Sequence, residues 1–312
     1  MAKYRPSTTA LSESAVASRF VPRVALNGVE LYYEDTGRGE PVVFCHEFAS
    51  DYRGWDPQVR AFGRSYRCIT YAYRGFPPSS VPETPEQYSQ DHLIEDLRAL
   101  VERLDIKQAH FVGFSMGGSV VLNFAIRFPQ LCRTIVVVGA GSGTTNRAQF
   151  ERDIDATVDL LRTRGIEGFA QVYGEGPTRL PFKRKDPHGY AVFRRQLGDH
   201  SAAGQALTML GVQRPRPTIF ALESQLNALE VPTLIIIGDE DEPCVDPAVF
   251  MKRHIPSAGL LVLPQSGHAV NLEEPALFNA AVLEFFRMAQ AGRWARRTTV
   301  TTSMLPTKER VD

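Results

Sequence analysis

The 312-residue chain carries 35 Lys and Arg against 35 Asp and Glu, so its net charge gives it no affinity for nucleic acid or an anionic membrane. With 43% hydrophobic and 22% charged residues it has the make-up of a soluble globular protein, and no apolar run is long enough to span a bilayer. The length allows one large domain or two smaller ones.

Residues 1–21 are rich in Ser, Thr and Ala, are interrupted by Glu13 and lack an apolar stretch. They read as a loose N-terminal arm rather than a cleaved targeting peptide. Asn27-Gly28 between Arg23–Leu26 and Val29–Tyr33 is a hairpin signal, because both turn positions need positive φ. Pro41–Cys45 is a continuous apolar strand running into His46-Glu47-Phe48. A helix is expected over Arg53–Phe62, a strand over Arg67–Tyr73, and a helix over Tyr88–Leu104, where Leu93, Leu97, Leu100, Val101 and Leu104 share one face. Apolar strands at Ala109–Val112 and Thr134–Val138 flank a helix at Gly118–Phe128. Short apolar strands alternating with amphipathic helices imply a mostly parallel sheet covered on both faces, an α/β protein.

From Thr144 to Leu229 no strong strand run occurs. Helical segments are expected at 148–162, 166–173, 190–196 and 202–210, separated by Gly/Pro breaks, as a loosely packed helical insertion. The alternation resumes with strand 232–237, helix 247–254, strand 260–263 and helix 276–288; residues 293–312 read as a frayed basic tail. The domain scheme is therefore an arm at 1–21, a core at 22–143 and 230–292, an inserted helical unit at 144–229, and a tail at 293–312. Cys45, Cys68, Cys132 and Cys244 have no paired spacing, which favours buried free thiols in a reducing, cytoplasmic compartment over disulfides or a zinc site.

The chemistry centres on Gly113-Phe114-Ser115-Met116-Gly117. A serine on a sharp strand-to-helix bend lifts its hydroxyl clear of the sheet, and glycines two residues to either side let strand and helix pass. The helix adds a positive N-terminal field and the free N–H of Met116. A serine needs a base, and the base needs a group to hold it. Strand ends supply both: Gly238-Asp239-Glu240-Asp241 follows one strand and Gly267-His268 closely follows another. Loops at the carboxyl ends of parallel strands share an edge, so Ser115, Asp241 and His268 can meet.

With these motifs in their Ser, Asp, His order, the chain resembles the α/β-hydrolase superfamily, most closely its lid-bearing esterases, enol-lactonases and cofactor-free haloperoxidases. The resemblance covers roughly Pro22 to Gln290. It implies an α/β-hydrolase fold, with Thr144–Leu229 as the helical lid, Ser115 as nucleophile, His268 as base and Asp241, rather than Asp239, as the acid. It implies oxyanion donors at the backbone N–H groups of Phe48 and Met116. It also implies a small ester or lactone substrate, with no cofactor, metal, nucleic-acid or membrane partner. Carbon–carbon bond hydrolysis and perhydrolysis use the same triad, and a non-catalytic binding protein is the third reading.

One departure stands out. The family's His-Gly-x motif is here His46-Glu47-Phe48, and an inward carboxylate opposes a developing oxyanion unless Arg74 or another cation pairs with it. His46, Glu47, Phe114, Trp55 and Tyr173 are candidate substrate-side or supporting residues; the aromatics Tyr52, Trp55, Phe76 and Tyr173 read first as core or rim packing, with an acyl pocket as the alternative. The basic run Arg179, Lys183, Arg184, Lys185 reads first as a solvated face, with a preference for anionic substrates as the alternative.

Overall fold

The computed structural model describes residues 22–297; the expected arm at 1–21 and positions 298–312 of the expected tail lie outside the described residues. Eight strands form one sheet in the order β1-β2-β4-β3-β5-β6-β7-β8. They are β1 (Arg23–Leu26), β2 (Val29–Gly37), β3 (Glu40–Cys45), β4 (Tyr66–Tyr71), β5 (Ala109–Phe114), β6 (Cys132–Val138), β7 (Thr233–Gly238) and β8 (Ala258–Leu263). The β1–β2 and β2–β4 pairs are antiparallel and every later pair is parallel. Asn27 and Gly28 turn the first hairpin at φ 47° and 78°, as the Asn-Gly signal requires.

Strands β5 and β7 are buried at every position, and β3, β4 and β6 at all but one or two. That is why they read as continuous apolar runs rather than alternating ones. Helices α1 (Asp56–Phe62), α2 (Gln90–Arg103) and α3 (Met116–Arg127) follow β3, β4 and β5. After β6 comes the insertion: α4 (Arg147–Gly174), α5 (Leu180–Lys185), α6 (Pro187–Gly198), α7 (Ala202–Thr208) with a π-helical turn at Met209–Gln213, and α8 (Glu223–Ala228). Helix α9 (Glu242–His254) links β7 to β8, and α10 (Val270–Glu273) and α11 (Pro275–Gln290) close the described chain. Helix α1 packs on α11, and α2 on α3.

Two expectations change. Gly165, at φ 66°, interrupts α4 at the break foreseen between 162 and 166. The insertion is not loosely packed, however: Ile154, Val158, Leu161, Phe169, Phe182, Phe193 and Leu197 are buried in the same apolar cluster as the sheet. The described part of the expected tail, residues 293–297, is also anchored. Trp294 stacks edge-on against Phe285 and donates its indole N–H to the Ser257 carbonyl at 2.7 Å, and Arg297 donates to the Ile255 carbonyl at 2.7 Å. An amphipathic indole inside a basic stretch is what anchors it. All four cysteines are buried and unpaired.

Candidate active site

Ser115 sits between β5 and α3 at φ 53°, ψ −109°. A non-glycine residue there stores about 1–3 kcal/mol of strain and persists only where the surroundings over-determine it. They do: the Ser115 N–H donates to the Val138 carbonyl at 2.7 Å, and its own carbonyl accepts from Ser119 N–H at 3.1 Å. A Cβ on Gly113 would lie 2.2 Å from the Gly117 carbonyl oxygen, and one on Gly117 would lie 2.1 Å from that of Cys45. The two glycines are thus needed for helix and strand to cross at the serine.

The ends of β7 and β8 bring in the other two groups. His268 Nδ1 lies 2.7 Å from Asp241 Oδ2, and since a carboxylate only accepts, the Nδ1 proton points at Asp241 and Nε2 is left as the acceptor. Asp239 is used differently: its carboxylate accepts the Ser266 backbone N–H at 3.1 Å and holds the two loops together. The His268 loop is clamped from two sides. Glu273 accepts the N–H groups of Gly267 (2.7 Å) and Ala269 (3.0 Å), and the Thr178 carbonyl in the insertion accepts that of His268 at 3.1 Å. Burial raises the Glu273 pKa against the pull of those two N–H groups. Phe114 lies beside the imidazole, ring centroids 4.9 Å apart.

Ligand atoms of Asp241, Cys244 and His268 lie within 4.8 Å of one another. The set is a poor metal site. His268 occupies Asp241 Oδ2 and leaves only Oδ1 without a partner, and the Cys244 thiol donates to the Gly139 carbonyl at 3.3 Å, with burial and then the nearby Asp241 charge keeping it protonated.

The loop after β3 holds the residue that departs from the family motif. Glu47 is fully buried and meets Arg179 of the insertion in a two-pronged ion pair: Nη1 donates to Oε1 at 2.9 Å, and Nη2 donates to Oε2. Arg179 also donates to the Tyr173 hydroxyl at 3.1 Å and lies over the Tyr173 and Phe193 rings. Burial works against the guanidinium charge, but Glu47 and Tyr173 more than offset it and hold its pKa above the ordinary value. Arg74, the partner considered from sequence, is instead committed to Asp96 at 2.7 and 2.8 Å.

Two further contacts fix the same loop. Gln205 of α7 donates to the Phe48 carbonyl at 3.1 Å and to His200 Nδ1 at 2.7 Å, so His200 Nε2 carries the proton that faces Asp51 at 3.1 Å. Burial pushes the Asp51 pKa up, but His200 and Arg53 together hold it well below the carboxylate range. His46 accepts the Tyr73 N–H at Nε2 (3.2 Å), so Nδ1–H donates to the Glu47 carbonyl (2.7 Å); burial lowers its pKa to about 4, and it is a neutral structural group. Among the described residues no acceptor is found for the backbone N–H of Phe48 or of Met116, the first residue of α3.

Ser115, Asp241 and His268 open on one cavity of about 440 Å³, within the range of small-molecule sites. Phe48 and Tyr173 line it, and most of the remaining wall comes from the insertion, including Asn146, Gln149, Phe150, Ile154, Met209, Gln213 and Arg216. The hydrogen bonds of His268 run to Asp241 and Thr178 rather than to Ser115 Oγ, and nucleophile–base bonds are often long outside the substrate complex. Trp55 is not in this wall. It is buried against Phe44 and Phe278, and Phe76 is buried against His46 and His200. Tyr52 packs on Tyr32 away from the cavity.

The basic run is no free solvated face. Besides Arg179, Arg184 pairs with Glu240 at 2.9 Å and Lys185 with Glu274 at 2.6 Å, tying the insertion to the loops that carry Asp241 and His268. Lys183 pairs with Glu175 inside the insertion. Arg179, Gln205, Glu273 and Arg216 are the polar residues that sequence reasoning gave no role at the site. The partners of Arg179, Gln205 and Arg216 lie 132, 157 and 74 residues away along the chain, where no local spacing signals them, whereas Glu273 reaches back only six and four residues.

Residues 40–171 match the family model for the alpha/beta hydrolase fold. The 3-oxoadipate enol-lactonase 2 of Acinetobacter baylyi is 29% identical over 268 residues, covering 84% of this chain and 95% of the lactonase. Among solved structures, a thermophilic esterase from Thermogutta terrifontis aligns with a TM-score of 0.76 at 26% identity, over 86% of this chain and 99% of its own. A hydrolase from Pseudomonas aeruginosa aligns with a TM-score of 0.74 at 27% identity, over 86% and 98%. On the sheet order and these matches together, the chain has the α/β-hydrolase fold and is a hydrolase.

Proposed function

We propose that this hydrolase cleaves a carboxylic ester or lactone through an acyl-enzyme on Ser115. The observation that carries the reading is the His268–Asp241 pair, 2.7 Å apart, opening on the same cavity as a strained serine. Ser115 Oγ attacks the carbonyl carbon as its proton passes to His268 Nε2. Asp241 keeps the imidazole in the right tautomer and stabilises its positive charge. The oxyanion accepts hydrogen bonds from the Phe48 and Met116 N–H groups, helped by the positive end of α3. Collapse breaks the bond to the leaving alkoxide, which takes the proton from His268. Water then repeats the cycle: His268 accepts its proton, hydroxide adds to the acyl carbon, and Ser115 leaves protonated.

The sequence raised a non-catalytic reading, in which Glu47 spoils the oxyanion site. The Arg179 guanidinium, bound to both Glu47 oxygens, takes away the ground for it. The segment 144–229 acts in this reading as a lid that selects substrate, since it supplies most of the cavity wall.

The test is a panel of p-nitrophenyl esters and lactones of graded acyl length. A burst of about one p-nitrophenol per enzyme before slower turnover is the expected mark of an acyl intermediate. If every ester and lactone in the panel survives intact, the proposal fails.

A further inference from the structure

Arg216 takes no part in the proposed acyl-transfer chemistry, and its position is unusual. It lies just after the π-helical turn, is 7% exposed, and contributes to the wall of the cavity that holds Ser115. Buried arginines are normally paired with a carboxylate, because an unpaired charge away from water is costly. Glu47 does this for Arg179, and Asp96 does it for Arg74. Arg216 has no such partner among the described residues. Its one side-chain hydrogen bond runs from Nη2 to the Ser142 carbonyl at 2.9 Å, and its guanidinium lies 5.3 Å from the Phe150 ring.

The surroundings do not neutralise it either. Arg147 nearby is a second cation, whose guanidinium is spent on Glu151 and on the backbone carbonyls of Arg214 and Arg216. The carboxylates that border the same cavity are Asp241, held by His268, and the exposed Asp153 and Glu242, neither of which pairs with Arg216. Burial, with a smaller push from Arg147, lowers the Arg216 pKa to about 10, so it is still a full cation at neutral pH. Three residues earlier, the 5% exposed Gln213 has an Oε1 atom without a partner on the same wall. Turned over, that amide presents N–H donors instead.

We infer that Arg216 is a specificity-determining residue that binds a carboxylate carried by the substrate, away from the scissile bond. The inference rests on the ester or lactone hydrolase reading and narrows it to substrates that are half-esters or lactones of an acid with a second, free carboxyl group. A monoanion fits better than a phosphate dianion, because only one uncommitted guanidinium faces the cavity. The free energy of the pair comes from both sides. The substrate charge gains a charge-assisted hydrogen bond, and the protein loses an uncompensated buried charge.

The test compares p-nitrophenyl glutarate half-ester with p-nitrophenyl hexanoate, which has a similar chain length and no charge. The wild type is expected to favour the charged ester at least tenfold in kcat/KM, mainly through KM. Arg216→Met should cut that preference at least tenfold, and Arg216→Lys should keep part of it. Equal kcat/KM values for the two esters in the wild type, or a preference that survives Arg216→Met, would overturn the inference.

A binding measurement separates this outcome from failure of the hydrolase reading. Calorimetry with glutarate on Ser115→Ala should register binding that glutaramide does not reproduce and that Ser115→Ala/Arg216→Lys weakens. Glutarate binding without turnover of either ester would leave Arg216 as an anion site and remove the acyl-enzyme. Turnover of both esters with no discrimination between glutarate and glutaramide would do the reverse.

Discussion

Ser115→Ala and His268→Ala are each expected to lower kcat on simple esters by on the order of 10⁶, and the double variant by no more than either alone. The reason is that the serine is inert without a base and the base is idle without the serine. Asp241→Asn should cost on the order of 10⁴, because an amide offers His268 Nδ1 a donor and turns the imidazole to the wrong tautomer. The geometry separates the two aspartates of the loop: Asp241 faces His268, whereas Asp239 accepts a backbone N–H from Ser266. Asp239→Asn keeps an oxygen for that bond and should cost far less. Steady-state kinetics on the purified variants, with circular dichroism to check folding, decides it. Multiplicative losses for Ser115→Ala and His268→Ala, or a greater loss for Asp239→Asn than for Asp241→Asn, would refute these roles.

Glu47→Gln is expected to destabilise the fold by about 3–5 kcal/mol, since it leaves the fully buried Arg179 guanidinium without its counter-charge. Arg179→Met should cost a similar amount by stranding Glu47. The double variant Glu47→Gln/Arg179→Met should lose much less than the sum, as expected for groups that interact directly. Urea denaturation of the four proteins gives the cycle. Turnover should fall as well, because Glu47 immediately precedes the Phe48 N–H, and losing one oxyanion donor costs on the order of 10²–10³ in kcat. A tenfold rate gain in Glu47→Gln, with stability unchanged, would mean that the carboxylate was opposing the oxyanion and that Arg179 does not neutralise it.

How much of this was legible in the sequence depends on how local the physics is. The elbow was legible because its constraint is short-range: Gly113 and Gly117 must lack a Cβ for one strand and one helix to cross. The sheet was legible because strands buried on both faces are apolar almost throughout: β5 and β7 are buried at every position, with only His110 and Thr233 polar. The partner of Glu47 was not. Arg179 lies 132 residues away, in a run of basic residues whose composition alone suggests a solvated face. Charge complementarity between distant segments leaves no periodic trace. The same holds for Gln205, which reaches the Phe48 carbonyl from 157 residues away. Trp55 stayed open between two roles for a related reason: a large aromatic serves a pocket or a core, and its contacts with Phe44 and Phe278 decide for the core. The insertion read as loose because its helices share a buried cluster with the sheet, so their apolar residues do not form a single regular stripe.

The most direct measurement of the central claim is covalent labelling with a fluorophosphonate, followed by intact mass and peptide mapping. One adduct per chain is expected, on Ser115, blocked by prior incubation with an ester substrate and absent from Ser115→Ala. His268→Ala should label far more slowly, since the serine then lacks its base. An adduct on another residue, or unchanged labelling of Ser115→Ala, would contradict the assignment of the nucleophile and with it the acyl-enzyme route.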